Sequence, residues 1–110
     1  MKYRCIDCDQ HVIEPPDLWE NYLPQKFQDR APKLTKDKDG GDAWLLGEAI
    51  ESLGLVSAIG KTPETLKWTG AKYDEMHPGC FQPGPRLELM DEDGVDAAEI
   101  LQNKKRTAQH

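Results

Sequence analysis

Residues 3–9, Tyr3-Arg4-Cys5-Ile6-Asp7-Cys8-Asp9, alternate in a way that predicts a short strand. If the extended path continues, Tyr3, Cys5, Asp7, Asp9 and His11 share one face, and Arg4, Ile6, Cys8 and Gln10 share the other. Leu18, Trp19, Tyr22 and Leu23 then fall at i, i+1, i+4 and i+5, one apolar face of a short helix. Pro15 and Pro16 open this helix, Asp17 can cap it or occupy its first turn, and Pro24 closes it. A further turn is expected over Gln25 to Asp29. Lys33–Lys36 and Ala43–Leu46 flank Asp39-Gly40-Gly41-Asp42, a hairpin signal because glycine accepts the positive φ of tight turns.

From Leu55 to Pro85 no period holds, and frequent Gly and Pro predict an irregular loop with one helical turn, anchored by Trp68 and Phe81. Order returns at Pro85, which suits a first helical position. Leu87 and Met90 make an i, i+3 stripe, and Gly94 suits the position just past a helix end. Val95 to Leu101 reads as a second strand. The resulting order of strand, excursion with β-hairpin, helix and strand is the skeleton of a βαβ unit, and so of a parallel α/β sheet. Residues 1–101 form one segment. Residues 102–110 are polar and predict a disordered tail.

Composition narrows the partners. Fourteen basic against twenty acidic residues give a formal net charge of −6, which argues against nucleic acid or an anionic membrane. No apolar run approaches the ~20 residues of a membrane-spanning helix, and the first residues lack the apolar stretch of a signal peptide. Three cysteines cannot all pair within one chain, so a reducing, cytoplasmic setting is expected. At 110 residues the chain is large enough for one small domain only.

Three groups of residues could carry chemistry. Asp9 and His11 lie two apart on a strand, hence on one face, where a carboxylate and an imidazole can converge on one metal ion. They fall at the carboxyl end of the strand, where parallel sheets place their sites; a solvated Asp and a structural His is the plainer alternative. Cys5-x-x-Cys8 with His77-x-x-Cys80 has the spacing of a structural zinc site. A strand would turn Cys5 and Cys8 to opposite faces, which favours small buried apolar cysteines instead. The acidic run Asp91–Asp96 fails as a calcium loop, since with Gly94 at position 6 it holds Leu89 and Ile100 at positions 1 and 12. The turn at Asp37, Asp39 and Gly40 fails likewise, with Leu46 at position 12.

The stretch Ile6-Asp7-Cys8-Asp9-Gln10-His11-Val12-Ile13-Glu14-Pro15-Pro16-Asp17-Leu18-Trp19 resembles the opening of the amidohydrolase superfamily. Specifically, it looks like the branch of TIM-barrel metal-dependent hydrolases that also contains nonoxidative decarboxylases. Leu23-Pro24, Phe27-Gln28-Asp29-Arg30-Ala31-Pro32 and Gly41-Asp42-Ala43-Trp44 fit the same pattern, as does Arg86-Leu87-Glu88-Leu89-Met90-Asp91-Glu92-Asp93-Gly94-Val95-Asp96. The resemblance runs from residue 5 to about 101 and is weakest in the irregular middle. It implies that Asp9 and His11 occupy the metal-ligand pair ending the first barrel strand, with aspartate replacing the first histidine of the more usual His-x-His. It further implies a divalent metal ion, most often zinc, that lowers the pKa of bound water toward ~7 for attack on a carbonyl. In the decarboxylase branch the metal instead holds the substrate while a carboxylate leaves. Glu14 follows closely enough to approach the site, without an assigned role.

A TIM barrel needs roughly 200–250 residues. The resemblance therefore implies the amino-terminal portion of a (β/α)8 barrel, incomplete as a barrel. The remaining histidine ligands and the catalytic aspartate would lie beyond residue 110, and neither His77 nor His110 replaces them. The expected function is that of the first part of a metal-dependent hydrolase acting on a small carbonyl substrate, inactive alone, by C–N or C–O hydrolysis or by nonoxidative decarboxylation. Open sheet edges predict self-association or docking to a longer chain. The alternative is a small binding or docking module with structural zinc at Cys5, Cys8, His77 and Cys80.

Overall fold

The computed structural model describes residues 4–101, except for the side chain of Leu55. It is a mixed α/β arrangement with two small sheets. Strand β1 (Ile6–Gln10) pairs in parallel with β5 (Ala97–Ile100), with Ile6 opposite Ala97 and Asp7 opposite Ala98. The register then shifts, and Gln10 lies opposite Ile100. Between them runs the predicted excursion, followed by helix α2 (Pro83–Asp93). Proline leads α2, and Gly94 ends it in the left-handed region at φ 73°. The N–H of Val95 donates to the Met90 carbonyl at 2.8 Å, which gives a carbonyl of the last turn its partner.

The excursion contains helix α1 (Leu18–Tyr22), a 3-10 turn at Gln25–Arg30 and the antiparallel strands β2 (Lys33–Lys36), β3 (Asp42–Leu46) and β4 (Ala49–Ser52). The pairing of β2 with β3 matches the predicted hairpin, and its turn is closed by one side chain. Asp37 Oδ1 accepts from the backbone N–H groups of Asp39 and Gly41, each at 2.9 Å. Its Oδ2 accepts from Gly70 N–H at 2.7 Å and Ser52 Oγ at 3.1 Å, so the carboxylate also clips the turn to the distant loop. These N–H groups, led by that of Gly70, hold the Asp37 carboxyl below its ordinary pKa against the opposing effect of burial. Gly41 is required here by space. A Cβ on it would lie 2.4 Å from the carbonyl carbon of Gly70.

The core lies in the excursion. Ile13, Trp44, Leu53, Met76 and Cys80 are buried together, with Trp19, Val56, Ile59, Ala71, Tyr73 and Phe81 packed around them. Trp44 Nε1 donates to the Tyr73 hydroxyl at 3.1 Å, and that hydroxyl donates to the Glu14 carbonyl at 2.7 Å. Burial raises the Tyr73 phenol well above its ordinary pKa, so it stays a neutral donor. Tyr73 and Phe81 meet edge to face with centroids 5.3 Å apart.

Several expectations are corrected. Strand β4 was not predicted: the two-residue loop Gly47-Glu48, with Gly47 at φ 63°, turns β3 back on itself. The middle segment carries three 3-10 turns, at Gly54–Ser57, Tyr73–Glu75 and Pro78–Cys80, rather than one helical turn. Phe81 does anchor it, but Trp68 is 70% exposed. Helix α2 starts at Pro83 instead of Pro85, and β5 starts at Ala97 because Asp96 is used to tie the chain to Cys5. Cys5 and Cys8 are exposed, while Cys80 is buried as expected. The expected tail at 102–110 lies outside the described residues. Among the described residues no helix is long and apolar enough to cross a membrane.

Candidate functional site

Asp9 and His11 lie at the carboxyl end of β1, where the strand runs out beside β5. Their side chains meet: His11 Nε2 and Asp9 Oδ1 are 3.0 Å apart, and both groups face solvent. This is the shared face that alternation requires of residues two apart. Asp9 is itself oriented by its backbone N–H, which donates to Asp7 Oδ1 at 3.0 Å. That N–H, with Gln10 next in effect, holds the Asp7 carboxyl below its ordinary pKa.

A carboxylate oxygen with an imidazole nitrogen is a suitable donor pair for zinc or a similar divalent ion. Two ligands of one tetrahedral zinc, bound at ~2.0–2.2 Å, lie ~3.3–3.6 Å apart. The observed separation needs an opening of only a few tenths of an ångström, which exposed side chains accommodate. The pair therefore fits two positions of a coordination sphere. Among the described residues no group of three or more His, Cys, Asp or Glu side chains could hold a metal ion.

The zinc set Cys5, Cys8, His77 and Cys80 is not brought together. Cys80 is buried in the excursion core, where burial pushes its thiol pKa up, whereas Cys5 and Cys8 stand exposed at the parallel pair. His77 is used locally. Its Nδ1 accepts from Gly79 N–H at 2.9 Å and caps the 3-10 turn Pro78–Cys80. The sequence spacing imitated two knuckles, but the strand geometry and the core position of Cys80 separate them.

The opposite face of β1 borders an open, apolar cavity of about 540 Å³ between the strand pair, α2 and the start of the excursion. Val12, Phe81, Leu87, Met90 and Ile100 contribute to its walls. Gln10, which lies between Asp9 and His11 in sequence, faces this cavity and receives the Arg86 guanidinium. Glu14 also lines it, and so belongs to the cavity rather than to the Asp9–His11 face. The sequence reading missed Arg86 as a partner of the strand end. Its place in the first turn of a helix beginning with proline was the only available signal.

No protein-family model matches the chain, and no curated protein matches it. Among solved structures, an amidohydrolase from Mycobacterium avium subsp. paratuberculosis K-10 is similar, with a TM-score of 0.56 and 21% sequence identity. The match covers 96% of this chain and 32% of that one, so the chain spans about a third of the length of the structure it resembles. At this identity the likeness speaks to fold: the arrangement of strands, excursion and helix is that of a segment of an amidohydrolase structure.

Proposed function

We propose that this chain is the amino-terminal part of a metal-dependent hydrolase of the amidohydrolase type, built on the first two strands of a (β/α)8 barrel. In this reading β1, α2 and β5 are the first strand, first crossover helix and second strand of the barrel. The observation that carries it is the Asp9–His11 contact at the carboxyl end of a parallel strand, in a fold shared with one third of an amidohydrolase structure. Position supports it as well, because barrel enzymes assemble their sites at the carboxyl ends of the strands.

Asp9 and His11 would supply two donors to a divalent ion, with zinc favoured by the mixed oxygen and nitrogen set. When bound, such an ion polarises a substrate carbonyl and activates water. The chain's own residues do the positioning. The pleat of β1 sets both side chains on one face, and the hydrogen bond between Leu101 N–H and the Gln10 carbonyl, at 2.7 Å, fixes the strand end beside β5. The substrate class is a small carbonyl compound, cleaved at C–N or C–O or decarboxylated. The remaining donors and the general base would come from polypeptide outside this chain, docked along the parallel pair. Exposed Ile6, Leu87 and Ile100 on these elements favour such docking.

The test is zinc binding to the purified chain. Weak binding that is lost in both His11→Ala and Asp9→Asn, and unchanged in Cys80→Ser, is expected. Binding abolished by Cys80→Ser and indifferent to His11→Ala would replace this reading with the four-ligand zinc module.

A further inference from the structure

Arg86 is a half-buried cation on α2, and the metal reading leaves it without a role. Its Nε and Nη2 both donate to Gln10 Oε1, at 3.2 and 3.0 Å, and its Nη1 donates to the Gly79 carbonyl at 3.0 Å. One planar guanidinium thus joins the end of β1 to the Pro78–Cys80 turn. The neighbouring backbone repeats that link, since Ile13 N–H donates to the Cys80 carbonyl at 2.9 Å. His11 is therefore bracketed on both sides, at Gln10 and Ile13, by attachments to the same turn.

The bracket matters because the β-ladder holds this stretch only at its end, where Leu101 N–H donates to the Gln10 carbonyl. The register of β1 against β5 shifts between Asp7 and Gln10, the interval that contains Asp9. The turn that receives the attachments is itself closely packed. Gly79 and Cys80 are buried, and a Cβ on Gly79 would lie 2.6 Å from Leu89 Cδ1 and 3.1 Å from His77 Nδ1. Strand alternation puts Gln10 on the face opposite Asp9 and His11, so Arg86 acts through the backbone and not by contact with the pair.

We propose that Arg86 is a positioning residue for the Asp9–His11 pair, acting through Gln10; the inference rests on the metal reading of that pair. Arginine is suited to this because its rigid fork serves two acceptors at once, which a lysine ammonium on a flexible stem does not reproduce. Partners that orient metal ligands typically govern affinity by about 10–100-fold.

The probe is Mn2+ titrated into isotope-labelled full chain, with paramagnetic broadening of the His11 resonances as the readout and thermal melting recorded in parallel. Arg86→Met and Gln10→Ala should each require at least about 10-fold more metal for the same broadening. The double variant should be no worse than the worse single one, because both changes break one linkage, and Arg86→Lys should recover only part of the loss. Asp37→Asn, which weakens the distant turn clip, should lower the melting temperature and leave the metal dependence alone. If Arg86→Met fails to fold, Gln10→Ala decides, because it removes the acceptor and leaves the guanidinium in place. The proposal is overturned if both variants broaden at wild-type metal concentrations, or if Asp37→Asn weakens binding as much as they do. Absence of broadening in the wild-type chain would overturn the metal reading and this inference together, whereas wild-type broadening with indifferent variants removes this inference alone.

Discussion

Between Ile13 and Phe81 the chain closes a core of its own, whereas β1, α2 and β5, which flank that stretch, contain no buried residue. The excursion buries Trp44, Leu53, Met76 and Cys80 and satisfies its polar groups through the Asp37 clip and the Tyr73 hydroxyl. The strand pair does the reverse. Leu87 is 60% exposed, Ile6 63% and Ile100 51%, and parallel strands are ordinarily covered on both faces. The contrast teaches that ornament and framework have exchanged their usual parts here. The irregular excursion holds the buried core, and the regular βαβ elements leave their apolar side chains exposed.

The contrast is broken most readily by paired substitutions. Trp44→Ala should cost about 3–5 kcal/mol in urea unfolding, while Leu87→Ala should stay within about 0.5 kcal/mol. Equal costs would mean that α2 is packed as tightly as the excursion. A smaller effect is expected from glycines. Gly41→Ala drives a methyl into the Gly70 backbone and should cost about 1–3 kcal/mol. Gly84→Ala, with nothing within 4 Å of the added carbon, should be neutral or stabilising by up to about 1 kcal/mol. Thermal melts of the two variants sharpen the comparison, because the same chemical change should take opposite signs in the two regions.

Tyr73→Phe removes the acceptor of Trp44 Nε1 and the donor to the Glu14 carbonyl without altering the ring. A loss of about 1–3 kcal/mol in urea unfolding is expected. The smallest effect concerns acid. Asp37 is held below its ordinary pKa by the Gly70, Gly41 and Asp39 N–H groups. Asp42 is also held low: burial opposes this, but Lys36 at 2.7 Å and the Tyr73 N–H at 2.9 Å outweigh it. Because the folded-state values lie below the unfolded ones, this stabilisation is complete above about pH 4 and fades as pH falls through the lowered values. Urea midpoints measured from pH 6 down to pH 2.5 should show that decline, with a shallower slope in Asp37→Asn.

Much of the framework was legible because its signals are local. The alternation at Ile6–Gln10, the proline and Gly94 bounding α2, and the glycines between β2 and β3 each act within a few residues. The burial of Trp44 with Leu53 and Met76 was not legible, since it is set by long-range contacts that leave no period. Trp68 was misjudged for the same reason: aromatic character alone does not say which tryptophan finds the core. Strand β4 was missed although Gly47-Glu48 between Leu46 and Ala49 is a two-residue hairpin loop with glycine first. Cys5 and Cys8, expected to be buried because cysteine behaves as a small apolar residue, stand exposed because this chain leaves the faces of β1 uncovered. At the site, the Asp9–His11 contact follows from the pleat, while the Arg86 link to Gln10 spans 76 residues and leaves no trace in local pattern.

The most direct test of the division into a self-packed excursion and an exposed strand pair is native-state hydrogen exchange, followed amide by amide. The Ala43 and Leu45 amides should exchange only through global unfolding, and those of Ala97 and Leu101, which donate to the Cys5 and Gln10 carbonyls across the parallel pair, through local opening with much lower protection. Equal protection in β3 and β5 would contradict the account, because it would show the parallel pair to be as firmly closed as the core of the excursion.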